Sequence, residues 1–159
     1  MGDQITIKLI KAINYEAFTL IEMLVVLMVA SVMVTLPVLS YQKWQQKISN
    51  QQVISDFENG YYRTQLSAIQ VSKRSYIYLE KAGCVTFVYF DLDENQRTEV
   101  IEWPASIKTS DEATITFLAN SGGVTKALTY SLVDSLNEIK IIYTIQLGSG
   151  KLVKKIESL

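Results

Sequence analysis

Between Ala17 and Leu39 the chain reads A-F-T-L-I-E-M-L-V-V-L-M-V-A-S-V-M-V-T-L-P-V-L, and Glu22 is the single charge within it. Roughly 20 apolar residues at about 1.5 Å each cover the ~30 Å hydrocarbon core of a bilayer, so this run is long enough to cross one. An ionised carboxylate in a span costs on the order of 2.5–3.5 kcal/mol at its centre and less towards its end. Glu22 therefore calls for a partner, or for a route by which it snorkels to the headgroups.

Subtracting that run from 159 residues leaves room for one small domain. Fifteen Lys and Arg stand against sixteen Asp and Glu, so no global charge points to nucleic acid and any basic site has to be local. One cysteine cannot staple the fold. With no histidine, the commonest neutral-pH base and metal ligand is missing, and the expectation is a protein that is not an enzyme and holds neither metal nor cofactor.

Ahead of the run, residues 1–16 carry Lys8 and Lys11; behind it stand Lys43 and Lys47, so Lys/Arg counting leaves orientation nearly balanced. A short polar leader, a small residue and then F-T-L-I-E opening a long apolar helix resembles the prepilin signal of type IV pilins and pseudopilins. The resemblance implies cleavage between Ala17 and Phe18 by a prepilin peptidase, and N-methylation of the new terminus at Phe18. The family usually has Gly before the cut; Ala17 is a different small residue. It also implies that Glu22 is the assembly residue, paired with the amine of a neighbouring subunit. Four residues separate Phe18 from Glu22, which on a helix is one face.

Pro37 lies within the helical pattern, where a kink is expected, with Thr35 placed to satisfy the freed backbone. Ala30 and Ser31 are small enough for close helix approach, or are simply small. From Tyr41 to about Val71 the composition is polar and Gln-rich, yet Trp44, Ile48, Ile54, Phe57, Tyr61, Tyr62, Leu66 and Ile69 recur at helical spacings. A helix from Phe18 to about Val71 would be roughly 80 Å long. Gly60 suggests a break or bend near Asn59-Gly60. Beyond Lys73-Arg74 the period changes to that of strands at 76–79, 85–92, 99–103, 114–118, 128–133, 139–147 and 151–156, with a Gly148-Ser149-Gly150 turn between the last two. The expected fold is α+β: a long amino-terminal helix, transmembrane then amphipathic, packed on a small antiparallel sheet. The expected organisation is a leader (1–17), a transmembrane and assembly helix (18–39) and an extracytoplasmic head (40–159).

The ordering of I-T-F at 115–117, a Gly-containing turn, a strand pair and I-Y-T-I-Q-L-G-S-G-K-L-V-K-K-I-E is similar to the ComGD family of minor competence pilins of Gram-positive bacteria. That resemblance implies a subunit of a DNA-uptake pilus, a single-pass membrane precursor that becomes part of a surface filament. Its partners would be other pilin-like subunits, the prepilin peptidase, the membrane, and DNA either directly or through the assembled pilus. A secretion-type pseudopilin or an adhesive pilus subunit is the alternative within the class. Outside it stand a secreted domain released after Val38-Leu39-Ser40 and an uncleaved, single-span binding protein.

Other motifs have plainer readings beside them. Asp91, Asp93, Asn95, Glu99 and Glu102 fit positions of a calcium loop, but Gln96 occupies the glycine position and a hairpin loop explains the same residues. Gly148-Ser149-Gly150-Lys151 lacks the spacing of a phosphate loop. Cys84, at the head of an apolar strand, reads as a small buried hydrophobe or as an intersubunit thiol. Lys151, Lys154 and Lys155, and separately Lys73-Arg74, are local basic groups that suit a solvated face, a subunit contact or DNA.

Overall fold

The computed structural model describes residues 19–81, 83–109 and 112–159, with the backbone alone for 36–40. Helix α1 (Leu20–Gln70) leads into β1 (Ser75–Leu79), β2 (Cys84–Phe90), β3 (Gln96–Glu102), β4 (Ile107–Thr109), β5 (Ala113–Phe117), β6 (Leu128–Asp134), β7 (Ile139–Ile145) and β8 (Leu152–Ser158). This is the α+β layout that the change of period predicts. The chain divides into two compact units, Met1–Tyr41 and Gln42–Leu159.

In the first unit the large apolar side chains from Leu20 to Val34 are exposed on every side of α1. Two of its hydroxyls are satisfied within the helix, Ser31 donating to the Leu27 carbonyl at 2.7 Å and Thr35 to the Ser31 carbonyl at 2.6 Å. The Thr35 expectation needs correcting: its hydroxyl bonds to Ser31, not to the Met33 carbonyl that Pro37, having no N–H, leaves without its usual donor. α1 continues through position 37 as helix.

In the second unit a line of α1 residues, Asn50, Ile54, Phe57, Tyr61, Thr64 and Ala68, is buried at alternating steps of four and three. Trp44, Ile48, Tyr62, Leu66 and Ile69, expected on that stripe, are exposed instead. The buried line uses small side chains at Thr64, Ser67 and Ala68, which lets backbone approach backbone. At Gly60 the same logic overturns the expected break. The helix runs straight through in its hydrogen bonding, and a Cβ there would lie 2.8 Å from the Phe87 ring. Gly60 is a contact point between helix and sheet.

The strands form two four-stranded antiparallel sheets, β3-β2-β1-β5 and β4-β6-β7-β8, where one sheet was expected. Alternation fixes which face of a strand is buried; it does not choose the strand's neighbour. In the first sheet Ile77, Leu79, Val85, Phe87, Ile115 and Phe117 turn inward; in the second, Tyr130, Leu132, Ile141, Tyr143, Ile145 and Leu152 do. Phe57 meets both: its ring centroid lies 6.1 Å from Phe87 and 5.5 Å from Trp103 on one side, and 6.2 Å from Tyr130 and 5.2 Å from Tyr143 on the other.

Polar pins flank this centre. Towards residue 42, the buried Asp134 carboxylate accepts from Asn50 Nδ2 at 2.8 Å, from the Leu136 and Asn137 backbone N–H groups, and from Asn137 Nδ2. Towards residue 70, Gln65 Nε2 donates to the carbonyls of Gly122, Ser149 and Gly150, and the Tyr61 hydroxyl to Gly150 at 2.8 Å. These bonds clamp two turns together, so closely that a Cβ at Gly123 would sit 2.0 Å from the Gly148 carbonyl oxygen.

Overpacking against rigid backbone costs ~3 kcal/mol or more, so Gly123→Ala is expected to destabilise the unit 42–159 by at least that much in urea denaturation. Gly60→Ala gains ~1 kcal/mol of helix propensity and loses more against Phe87, for a net loss of ~1 kcal/mol.

Candidate processing and assembly site

The first turn of α1 is built by Thr19. Its Oγ1 accepts the Glu22 N–H at 3.3 Å, and its carbonyl accepts the Met23 N–H at 3.2 Å. Thr19 is therefore the N-cap and Glu22 the third residue of the helix, in the T-x-x-E order of a capping box. The first four N–H groups of a helix have no intrahelical acceptor and together carry a partial positive charge. The Glu22 carboxylate sits in that first turn. It is thus placed where a negative charge is stabilised before any second subunit arrives.

Ala17 and Phe18, the expected cleavage and methylation residues, lie outside the described residues, as does the rest of the leader. Among the described residues no helix is long and apolar enough to cross a membrane. The apolar part with described side chains, residues 20–35, covers about 24 Å, short of the ~30 Å needed, and the ends of the expected span at 17–18 and 36–39 fall outside it.

Residues 14–36 match the family described as the prokaryotic N-terminal methylation motif. That motif is the prepilin signal of type IV pilin-like proteins. The match takes in Ala17, Phe18 and Glu22 together with the Thr19 cap, and it supports a subunit processed by a prepilin peptidase and assembled with other pilins. Comparison with curated proteins and with solved structures gave no match.

Away from the motif, the acidic loop is a hairpin turn. Asp91 accepts the Asn95 N–H at 2.8 Å and binds Arg97 at 2.8 Å, the Asn95 contact first among the causes that hold its carboxyl below the usual range. Glu94 pairs with Lys73 at 2.7 Å and Glu99 with Arg63 at 2.6 Å. Among the described residues no group of three or more His, Cys, Asp or Glu side chains could hold a metal. Gly148-Ser149-Gly150 is the β7–β8 turn clamped by Gln65. The carboxyl-terminal lysines are largely engaged: Lys154 binds Glu58 at 2.6 Å and Lys155 binds Glu157 at 2.8 Å. Glu58 also accepts the Tyr143 hydroxyl at 2.6 Å, and burial, more than that bond, pushes the phenol up and keeps it a donor.

Cys84 corrects the expectation of a buried hydrophobe. It is half-buried at the start of β2, and its Sγ donates to Glu80 at 3.3 Å. That hydrogen bond, then desolvation and the carboxylate charges of Glu80 and Glu102, raise its pKa. A raised thiol pKa leaves less thiolate at neutral pH. The pH profile of iodoacetamide alkylation at Cys84 is expected to lie above that of an ordinary thiol and to move down in Glu80→Gln. An unmoved profile would show that the Glu80 contact does not control the thiol.

Proposed function

We propose that this chain is a minor pilin or pseudopilin of a competence, DNA-uptake type IV-like pilus. It is inserted as a single-pass precursor, cut between Ala17 and Phe18, methylated at Phe18 and assembled into a surface filament through α1. The observation that carries the pilin part is the match of residues 14–36 to the N-terminal methylation motif, on a chain whose apolar helix leads into an α+β head. The competence part rests on the ordering of strands and turns in the carboxyl-terminal half, now seen as β5 to β8 with their clamped turns.

Its work is assembly, with no catalytic step. An amine at Phe18 would stand beside the positive end of α1, an unfavourable place for a cation, and a carboxylate nearby offsets that cost. The Glu22 of a neighbouring subunit supplies one, and lateral packing of apolar helices buries the pair away from water. The assembled pilus carries DNA; in the head, Lys73, Lys154 and Lys155 are each paired with a carboxylate.

Mass spectrometry of the amino terminus in cells with the pilus machinery is expected to find methylated Phe18. An intact leader, or a terminus at Tyr41, would sink the reading. Glu22→Gln is expected to leave membrane insertion and cleavage intact and to block filament incorporation. Deleting the chain is expected to abolish transformation; processing and assembly with normal DNA uptake would assign it to a secretion or adhesion filament.

A further inference from the structure

The outer faces of the two sheets carry opposite charge in matching rows. Around β1, β2 and β3 the side chains of Leu79, Val85 and Trp103 are buried, so the alternate residues Glu80, Cys84 and Glu102 point away from the core. They share one row: Cys84 lies opposite Glu102 in the ladder, and the Glu80 N–H donates to the Cys84 carbonyl at 3.0 Å. In the second sheet Ile107, Leu132, Asp134 and Ile141 are buried, which turns Lys108, Val133 and Lys140 outward. These share a row too, Lys108 opposite Val133 and Val133 opposite Lys140. Each row is thus a small uncharged side chain flanked by two like charges, which stand two strands, or roughly 9–10 Å, apart. Among the described residues none of the four charges is in an ion pair. The Glu80 carboxylate accepts from two neutral donors, Cys84 Sγ at 3.3 Å and Thr86 Oγ1 at 3.2 Å. Glu157, next in the row beyond Lys140, is held by Lys155 at 2.8 Å.

We propose that these rows meet between copies: the outer face of the first sheet of one subunit packs on the outer face of the second sheet of the next, with Cys84 against Val133, Glu102 against Lys140 and Glu80 against Lys108. The occupant of each face is a second copy of this chain, because each face presents, at the same spacing, the charge that the other lacks. Side chains pack face to face as between the layers of a sandwich, and no backbone ladder is required. The opposite sense, Glu80 against Lys140, would set Glu112, which follows Glu80 across the sheet, against Glu157.

The strand order gives the same sense. An isolated bridge between Phe117 and Val124 joins β5 to the segment leading into β6, so around the head the strands run β3-β2-β1-β5 and on through β4-β6-β7-β8. Two copies with α1 pointing the same way, one presenting its first sheet to the other's second, meet with these orders reversed relative to each other. With β2 on β6, β3 then falls on β7 and β1 on β4. Both rows also lie towards one end of the head: Trp103, beside Glu102, packs on Phe57 at 5.5 Å, and Asp134, beside Val133, binds Asn50. Because the two faces are different surfaces, the contact is heterologous and repeats from copy to copy. The common direction of α1 is the one step that rests on the pilin-like reading.

The test uses the full chain in cells that process and assemble it. Val133→Cys, with the native Cys84 kept, is expected to give a ladder of disulfide-linked multimers on mild oxidation, since a disulfide can join two sheets packed face to face. The native chain, and Val133→Cys combined with Cys84→Ser, are expected to give none. Thr129→Cys, more exposed but four residues along β6 from the row, is expected to give a several-fold weaker ladder. Adding Glu102→Lys to Val133→Cys is expected to cut the ladder several-fold, although it removes a carboxylate that raises the Cys84 pKa, and Lys140→Glu in the same chain is expected to restore it. No ladder from Val133→Cys, an equal ladder from Thr129→Cys, a ladder that Glu102→Lys leaves unchanged or that Lys140→Glu does not restore, or linkage to a different protein in place of chain multiples would overturn the proposal. Leader removal at Ala17 is read from the mass of the same samples. A ladder on uncut chains overturns the pilin-like reading and leaves the head contact standing; cut chains without a ladder do the reverse.

Discussion

The head is held together at the Phe57 ring. Among the described residues its two sheets share no ladder, and an aromatic side chain on α1 touches both, within 5.2–6.2 Å of four other rings. Tilted aromatic contacts of this kind add ~0.5–1.5 kcal/mol each beyond the area they bury. The polar pins on either side depend on that placement. Asn50 reaches Asp134 on one side and Gln65 reaches the clamped turns on the other only because Phe57 and Gly60 set how closely the helix lies on the sheets.

Much of this layout could be read from the residues. Ile139, Ile141, Tyr143 and Ile145 alternate cleanly and became the inward face of β7; β2 is apolar on both faces and lies inside its sheet. What stayed hidden has physical causes. β4 is three residues long, too short to show a period. The buried line of α1 favours Thr64, Ser67 and Ala68 over Tyr62, Leu66 and Ile69, because closeness of approach outweighs hydrophobicity where helix backbone meets strand. Ser67 illustrates it: its hydroxyl donates to the Phe90 carbonyl and accepts the Phe90 N–H. Gly60 reads in sequence as a break, and only the position of Phe87 shows it to be a contact.

At the candidate site the sequence displayed the residues and concealed one relation among them. F-T-L-I-E marks the processing signal, and the T-x-x-E spacing of Thr19 and Glu22 before an apolar run is itself a signature of a helix start. With Thr19 as the cap, Glu22 belongs to the positively polarised end of a helix and is no longer a bare charge in an apolar run. Cys84 misled for a related reason: an apolar neighbourhood in sequence did not disclose that the first residue of β2 lies beside Glu80.

The clamp between helix and turns has a temporal consequence. Gln65 and Tyr61 bond to carbonyls 84 to 89 residues further along the chain. Contacts so distant in sequence cannot form while the chain is being made or moved; they wait for the last hairpin. Up to that moment the helix can meet β2, Phe57 against Phe87 and Ser67 against Phe90, but not the β7–β8 turn. A protein built this way closes its core only after the final strand is delivered.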